Sequence, residues 1–246
     1  MTNYPHLANA PITEAILDIR VDAGTGDSLA ATQVFAEAVR VDFPEQKPVQ
    51  VIDGSFEIVP DQSPKAQSRT STLGQICWNT DKTRAVQARI DGFTINHVRS
   101  YGSWNELRNC ALEMWPRYVE IVKPKSVVRI ALRYINKLEF SPADDLSNQL
   151  QTKLLLAPNL PQHIGESFIR VDLHFESERH AFITEATQPA TSEQARPRLL
   201  FDIDAYVLRP MAANDPRIWE ELEALHDIKN RCFFESLQPE AWRAYQ

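Results

Sequence analysis

Phe93-Thr94-Ile95-Asn96 leads into Ser103-Trp104-Asn105-Glu106-Leu107, and later Phe201-Asp202-Ile203-Asp204 leads into Ile218-Trp219-Glu220-Glu221-Leu222. Each time an alternating, strand-like stretch feeds an amphipathic segment with a tryptophan in its first turn. Alternation sorts side chains onto the two faces of a strand, whereas spacings of three and four line one face of a helix. Phe93 to Phe201 is an offset of 108 residues and Trp104 to Trp219 one of 115, a difference absorbed by the loop Pro210 to Asn214. The pattern predicts a duplicated architecture.

The surrounding sequence fits two copies of one unit. Ala15, Leu17, Ile19 and Val21 alternate with Ile16, Asp18, Arg20 and Asp22, the mark of a half-buried strand. Gly24, Gly26 and Asp27 break it, and Leu29, Val34, Phe35, Ala38 and Val39 recur at helical spacing up to Phe43-Pro44. Val49 to Val59 is strand-like, Pro60 to Thr70 reads as a loop, and Leu73 to Asn79 with Ala85 to His97 reads as a hairpin across Thr80-Asp81-Lys82-Thr83. Ser103 to Glu106 is a capping box, the serine satisfying an orphan amide while the glutamate reaches back. Trp104, Leu107, Ala111, Met114, Tyr118 and Val122 follow along one face, with a kink expected at Pro116.

In the second half, Val127 to Phe140 is a strand and Ser141-Pro142-Ala143-Asp144 is a helix start with proline at its first position. Phe168 to Glu176, Ala181 to Thr187 and Leu199 to Leu208 read as strands, and Asp215-Pro216 opens a helix presenting Trp219, Leu222, Leu225, Cys232 and Phe233 to the core. The expected fold is α+β. Residues 1–125 and 126–246 form tightly joined β-α-β-β-β-α halves of one mostly antiparallel, curved sheet, with long helices on one face and the other open.

Composition narrows the classes of function. An apolar content of 43% and a charged content of 24% are ordinary for a globular chain. No apolar run approaches the roughly 20 residues that span a bilayer, and Met1 to Ala10 lacks a secretory signal pattern. Cys77, Cys110 and Cys232 are odd in number, widely spaced and flanked by apolar residues, which reads as buried thiols in a reducing cytoplasm. A net charge of −7 disfavours nucleic acid, whose binding rests on a basic footprint.

Candidate chemistry lies on the polar strand faces. Arg129, Ala131, Arg133, Ile135 and Lys137 share one face; Arg170, Asp172, His174 and Glu176 share another, as do Asp202, Asp204 and Tyr206, and Asp18, Arg20 and Asp22. On one sheet surface these would form a mixed array of arginine, aspartate and histidine. Arginine's planar fork suits carboxylate or phosphate recognition, while the plain alternative is a solvated face of cross-strand ion pairs. Asp172, His174, Asp202 and Asp204 would supply oxygen and nitrogen ligands to a divalent metal if their strands adjoin. His226 beside Asp227 reads as a polar helix position, and Ala23 to Ser28 as a turn and cap in which Leu29 spoils the dinucleotide fingerprint. No Gly-x-Ser-x-Gly elbow or Walker loop is present, and no residue pattern calls for a cofactor.

Ala10-Pro11-Ile12-Thr13-Glu14-Ala15-Ile16-Leu17-Asp18-Ile19-Arg20, with its Pro-Ile-x-Glu-Ala-Ile-x-x-Ile-Arg signature, resembles the start of an uncharacterised, sporadically distributed bacterial protein family of about this length. The likeness continues through Asp91-Gly92-Phe93 with Asn96, Tyr101 and Trp104, and Trp115 with Tyr118. It extends to Arg129 through Asn136 and to Leu225-His226-Asp227 with Phe233 through Leu237. The resemblance implies a mobile-element, phage-defence or toxin–antitoxin setting and carries no activity with it. Together these readings favour a cytoplasmic, non-catalytic binding or regulatory protein. It would recognise a protein partner, or a small anionic ligand, through Arg20, Arg129, Arg133, Asp172, His174, Asp202 and Asp204. The alternative is a metal-assisted enzyme acting on a small anionic or nucleotide substrate.

Overall fold

The alternation that begins at Ile12 yields strand β1 (Ile12–Asp22), whose Ala15, Leu17, Ile19 and Val21 are buried. A computed structural model describes residues 4–23, 28–57, 65–99, 101–140, 149–162, 166–188 and 197–246. After β1 come α1 (Ser28–Ala38), β2 (Glu45–Glu57), β3 (Lys65–Trp78), β4 (Arg84–Arg89), β5 (Gly92–Val98) and α2 (Trp104–Val122). Then follow β6 (Ser126–Glu139), β7 (Phe168–His174), β8 (Arg179–Gln188), β9 (Arg198–Val207), α3 (Arg217–Ser236) and the short α4 (Pro239–Arg243). The chain is α+β, and its nine strands form one open, curved, antiparallel sheet in the order β2-β3-β4-β5-β1-β6-β9-β8-β7.

Some local expectations need correction or fall outside the described residues. The stretch Ala85 to His97 is two strands, because Ile90-Asp91 turns β4 back onto β5, so four strands rather than three separate α1 from α2. Lys65 to Thr70, expected as loop, belongs to β3; residues 58–64 lie outside the described set, as do the glycine-rich turn 24–27 and the helix start at Ser141-Pro142-Ala143-Asp144. Pro116 lies inside α2, which runs from Trp104 to Val122.

Register decides which residues share a face. Phe93 pairs with Ile19, Ile19 with Ile130 and Ile130 with Val207, a buried apolar row across four strands. Phe93 meets Phe35 of α1 at 6.3 Å between ring centres, and Trp115 and Tyr118 of α2 at 5.6 and 5.5 Å. Phe201 of β9 meets Phe233 of α3 at 6.1 Å. Such aromatic pairs add about 0.5–1.5 kcal/mol each beyond their buried area. The Tyr118 hydroxyl donates to the Arg89 carbonyl at 2.8 Å and the Trp115 indole N–H to the Ala213 carbonyl at 2.9 Å, so both rings are buried without an orphaned donor. Ser103 caps α2 by accepting from the Glu106 amide, and Lys123 closes it in a left-handed conformation. Among the described residues no helix is long and apolar enough to cross a membrane.

Candidate functional site

Because side chains alternate, the residues between those of the apolar row emerge on the other face of the sheet. Asp18 lies opposite Thr94 of β5 and Ala131 of β6, Arg133 opposite Ile16 and Asp204, and Arg20 directly opposite Arg129. Two like charges facing each other across a strand pair are destabilising unless a counter-charge intervenes. Asp18 supplies it. Its carboxylate accepts from Arg89 Nη2 at 2.9 Å, Thr94 Oγ1 at 2.9 Å, Arg20 Nε at 3.1 Å and Arg129 Nη1 at 3.3 Å.

The network spreads from this centre. Asp91, in the β4–β5 turn, accepts from Arg20 and Arg89; Asp204 takes Arg129 Nη2 at 2.8 Å; Asp202 takes Arg133 through a fork of Nε at 2.9 Å and Nη2 at 2.7 Å. Burial alone would raise the Asp18 carboxyl, yet the charges of Arg89 and Arg20, with hydrogen bonds from Arg89 and Thr94, hold it below the ordinary carboxylate range. At Asp204 burial prevails over the pull of Arg129 and raises the carboxyl. Arg20, Arg89, Arg129 and Arg133, with Asp18 and Asp204, line a concavity of about 500 Å³ over the centre of this face.

The polar face continues toward β7 through stacked rings. The Arg129 guanidinium lies 4.8 Å from the centre of the Tyr206 ring, and Tyr206 stacks on His180 and Phe182 at 5.2 and 5.4 Å. Arg170 covers Phe182 at 4.3 Å. At the sheet edge His174 Nε2 lies 3.6 Å from Asp172 Oδ2, and His180 Nδ1, buried and without a hydrogen-bond partner, lies 3.8 Å from Asp172 Oδ1.

Of the residues singled out in the sequence, Arg20, Arg129, Arg133, Asp202 and Asp204 come together in one network. Asp172 and His174 share their face but sit on edge strand β7, where Phe182 of β8 separates Asp172 from Asp204. The set Asp172, His174, Asp202 and Asp204 is therefore not assembled. Arginines hold the last two, while Asp172, His174 and His180 bring ligand atoms within 4.8 Å of one another. Sequence reasoning misses Arg89, Asp91, Thr94 and His180. The turn at Ile90-Asp91, followed by Gly92, is the signal that would have separated β4 from β5 and set Arg89 at the end of its own strand, and His180 lies one residue before the expected strand. Comparisons with protein-family models, with curated proteins and with solved structures find no match to this chain.

Proposed function

We propose that this chain is a non-catalytic binding protein that recognises a protein partner through the polar face of its sheet. The observation that carries the reading is the concavity of about 500 Å³, lined by four arginines against two aspartates. Guanidinium groups already held by carboxylates lose little further freedom on binding, which is the usual source of affinity in a preorganised site. Arginine is also enriched among the residues that dominate interface energetics. Arginine forks on a chain of net charge −7 favour a partner's carboxylate over a polyphosphate backbone.

The same reading takes the chain as an internal duplication. Outward from the β1–β6 seam the strands run β1-β5-β4-β3 on one side and β6-β9-β8-β7 on the other, with β2 as an addition to the first half. Phe35, Tyr118 and Phe233 all meet rings on the apolar face, which supports helices gathered on that side and an open polar side. A cytoplasmic setting near mobile-element, defence or toxin–antitoxin genes belongs to this proposal through the resemblance described above.

Affinity capture from the native host with wild-type protein and with Arg133→Glu tests the reading, circular dichroism verifying that both are folded. The same protein enriched by wild type and lost with the variant is the expected result; equal enrichment removes the arginine face from recognition. The second reading, a metal-assisted enzyme, is favoured by the Asp172, His174 and His180 cluster, whose mixed oxygen and nitrogen donors suit a divalent transition ion. Metal analysis of untagged protein and of His174→Ala decides it. Stoichiometric metal lost in the variant supports a centre there, and none in either removes a tightly bound one.

A further inference from the structure

Across the sheet from the arginine concavity, α3 carries a lysine on its buried stripe. Leu222, Leu225 and Lys229 succeed one another at helical spacing, and Lys229 is only 8% exposed. Its Nζ donates to Asn230 Oδ1 at 2.6 Å and lies 4.1 Å from the centre of the Tyr134 ring. Among the described residues no carboxylate pairs with it. Burial pushes the amine down to about 7. His226, one turn earlier, is pushed down to about 3 by burial and by the Lys229 charge, so it adds no second cation.

Lys229 lines a cavity of about 310 Å³ enclosed by the N-terminal segment, the start of α2, α3 and β6. The walls are aromatic. Trp104 and His226 lie parallel at 4.8 Å, so His226 is a stacked, half-buried ring on its helix. Phe233 closes another side, and the Tyr101 and Tyr134 hydroxyls meet at 3.1 Å. The volume falls at the lower end of small-molecule sites, which are commonly apolar with a few convergent polar groups.

We propose that this cavity binds a small aromatic carboxylate, whose anion pairs with Lys229 and whose ring lies among Trp104, His226 and Phe233. A buried cation without a counter-charge is costly, and an anionic ligand supplies what the chain omits. The aromatic walls favour a flat ring over an aliphatic chain. Lys229 is the one lysine, and no arginine joins it, among the described residues that line the cavity, and a lone ammonium matches a monoanion better than a phosphate dianion. The site lies on the opposite side of β6 from Arg129 and Arg133 and does not rest on the protein-partner reading.

Titration calorimetry of the full chain with benzoate, phenylacetate and indole-3-acetate, and with their amides, tests the proposal at pH 8 in two buffers of different ionisation enthalpy. At least one acid is expected to bind about tenfold or more tighter than its amide. Pairing raises the pKa of an amine that is mostly neutral at pH 8, so binding should draw a proton from the buffer. Lys229→Met should keep the circular dichroism of the wild type and lose both the preference and the uptake. If that variant does not fold, the acid-to-amide ratio and the proton uptake of the wild type decide alone. Absence of binding by all three acids, equal affinity for the amides, or binding without proton uptake overturns the proposal. Borohydride trapping of benzaldehyde on Lys229 without carboxylate binding would overturn it too, in favour of a nucleophilic amine.

Discussion

Asp18 accepts a 2.9 Å hydrogen bond from Arg89, although 71 residues separate them in the chain. The contact exists because β5 lies between β1 and β4, and the Arg89 side chain reaches toward β1 over Gly92, its small partner on β5. Around this pair the sheet gathers charges that sequence distance would scatter. The arrangement also explains how Arg20 and Arg129 tolerate facing each other, since the Asp18 carboxylate reaches both.

Replacing Asp18 with Asn should therefore cost far more than loss of a surface ion pair. Exposed pairs contribute about 0.2–1 kcal/mol, whereas removing one partner of a buried pair costs about 3–5 kcal/mol. Urea unfolding of Asp18→Asn at pH 7 should give a loss of about 3 kcal/mol. The pH dependence has a definite sign. A carboxyl held below its ordinary value of 3.8 contributes stability that is fully present above that value and is lost as pH falls through the lower folded value. The variant should accordingly show a shallower acid limb, and an unchanged one would remove Asp18 from the centre of the network.

Lys229 has the opposite consequence for stability. Its amine is lowered from 10.5 to about 7, so the folded chain holds its proton less tightly than the unfolded chain does. The associated stability is present above 10.5 and is lost as pH falls toward 7, at about 1.4 kcal/mol for each tenfold weakening of proton affinity. The face of Tyr134 favours the cation by about 0.5–2 kcal/mol, which offsets part of that loss. Lys229→Met should be more stable than wild type by a few kcal/mol at pH 6, with the gap narrowing steadily as pH is raised toward 10. Thermal denaturation across this range checks it; a constant gap would mean that the amine does not titrate there.

Local rules make some of these elements legible in the sequence, and long-range pairing hides the rest. The alternation of Ala15, Leu17 and Ile19 marks β1 because one of its faces is apolar throughout. In Ala85 to His97 the apolar positions shift from Val86, Ala88 and Ile90 to Phe93 and Ile95, a change of phase at the hairpin turn that is lost when the stretch reads as one continuous strand. That continuity hides Arg89 from the candidate site. His174 and Asp204 fall into one cluster on sequence grounds because facing direction can be read from period two, whereas strand order cannot. Lys229 stands visibly on an apolar stripe, but only the cavity beside it distinguishes a buried amine from one whose stem extends to solvent.

The cap of α2 allows a direct test of one such local rule. Ser103 accepts from the Glu106 amide at 3.2 Å. Ser103→Ala should destabilise the protein by about 1 kcal/mol, the usual cost of losing a capping side chain. Chemical denaturation will measure it, and a change below about 0.3 kcal/mol would mean that water satisfies the amide equally well.

Gly74 connects the outer sheet to the arginine face. It pairs with Arg89 of β4 on one side and with Val49 of β2 on the other, next to an irregularity in the β2–β3 register. A Cβ at this position would run into the Ala88 carbonyl oxygen and lie 2.7 Å from Arg89 Cα. Both are backbone atoms at the end of the β3–β4 pair, so neither can swing aside as a flexible side chain would. Gly74→Ala must therefore push β3 away from β4, and the strand that carries Arg89 moves with it. The expected loss is about 2 kcal/mol or more, the range for overpacking a close-packed interior. Amide exchange should quicken in Arg84–Arg89 before it does in Ser126–Glu139. Protection lost equally from both strands would mean that β4 has no separate role in holding Arg89 against Asp18.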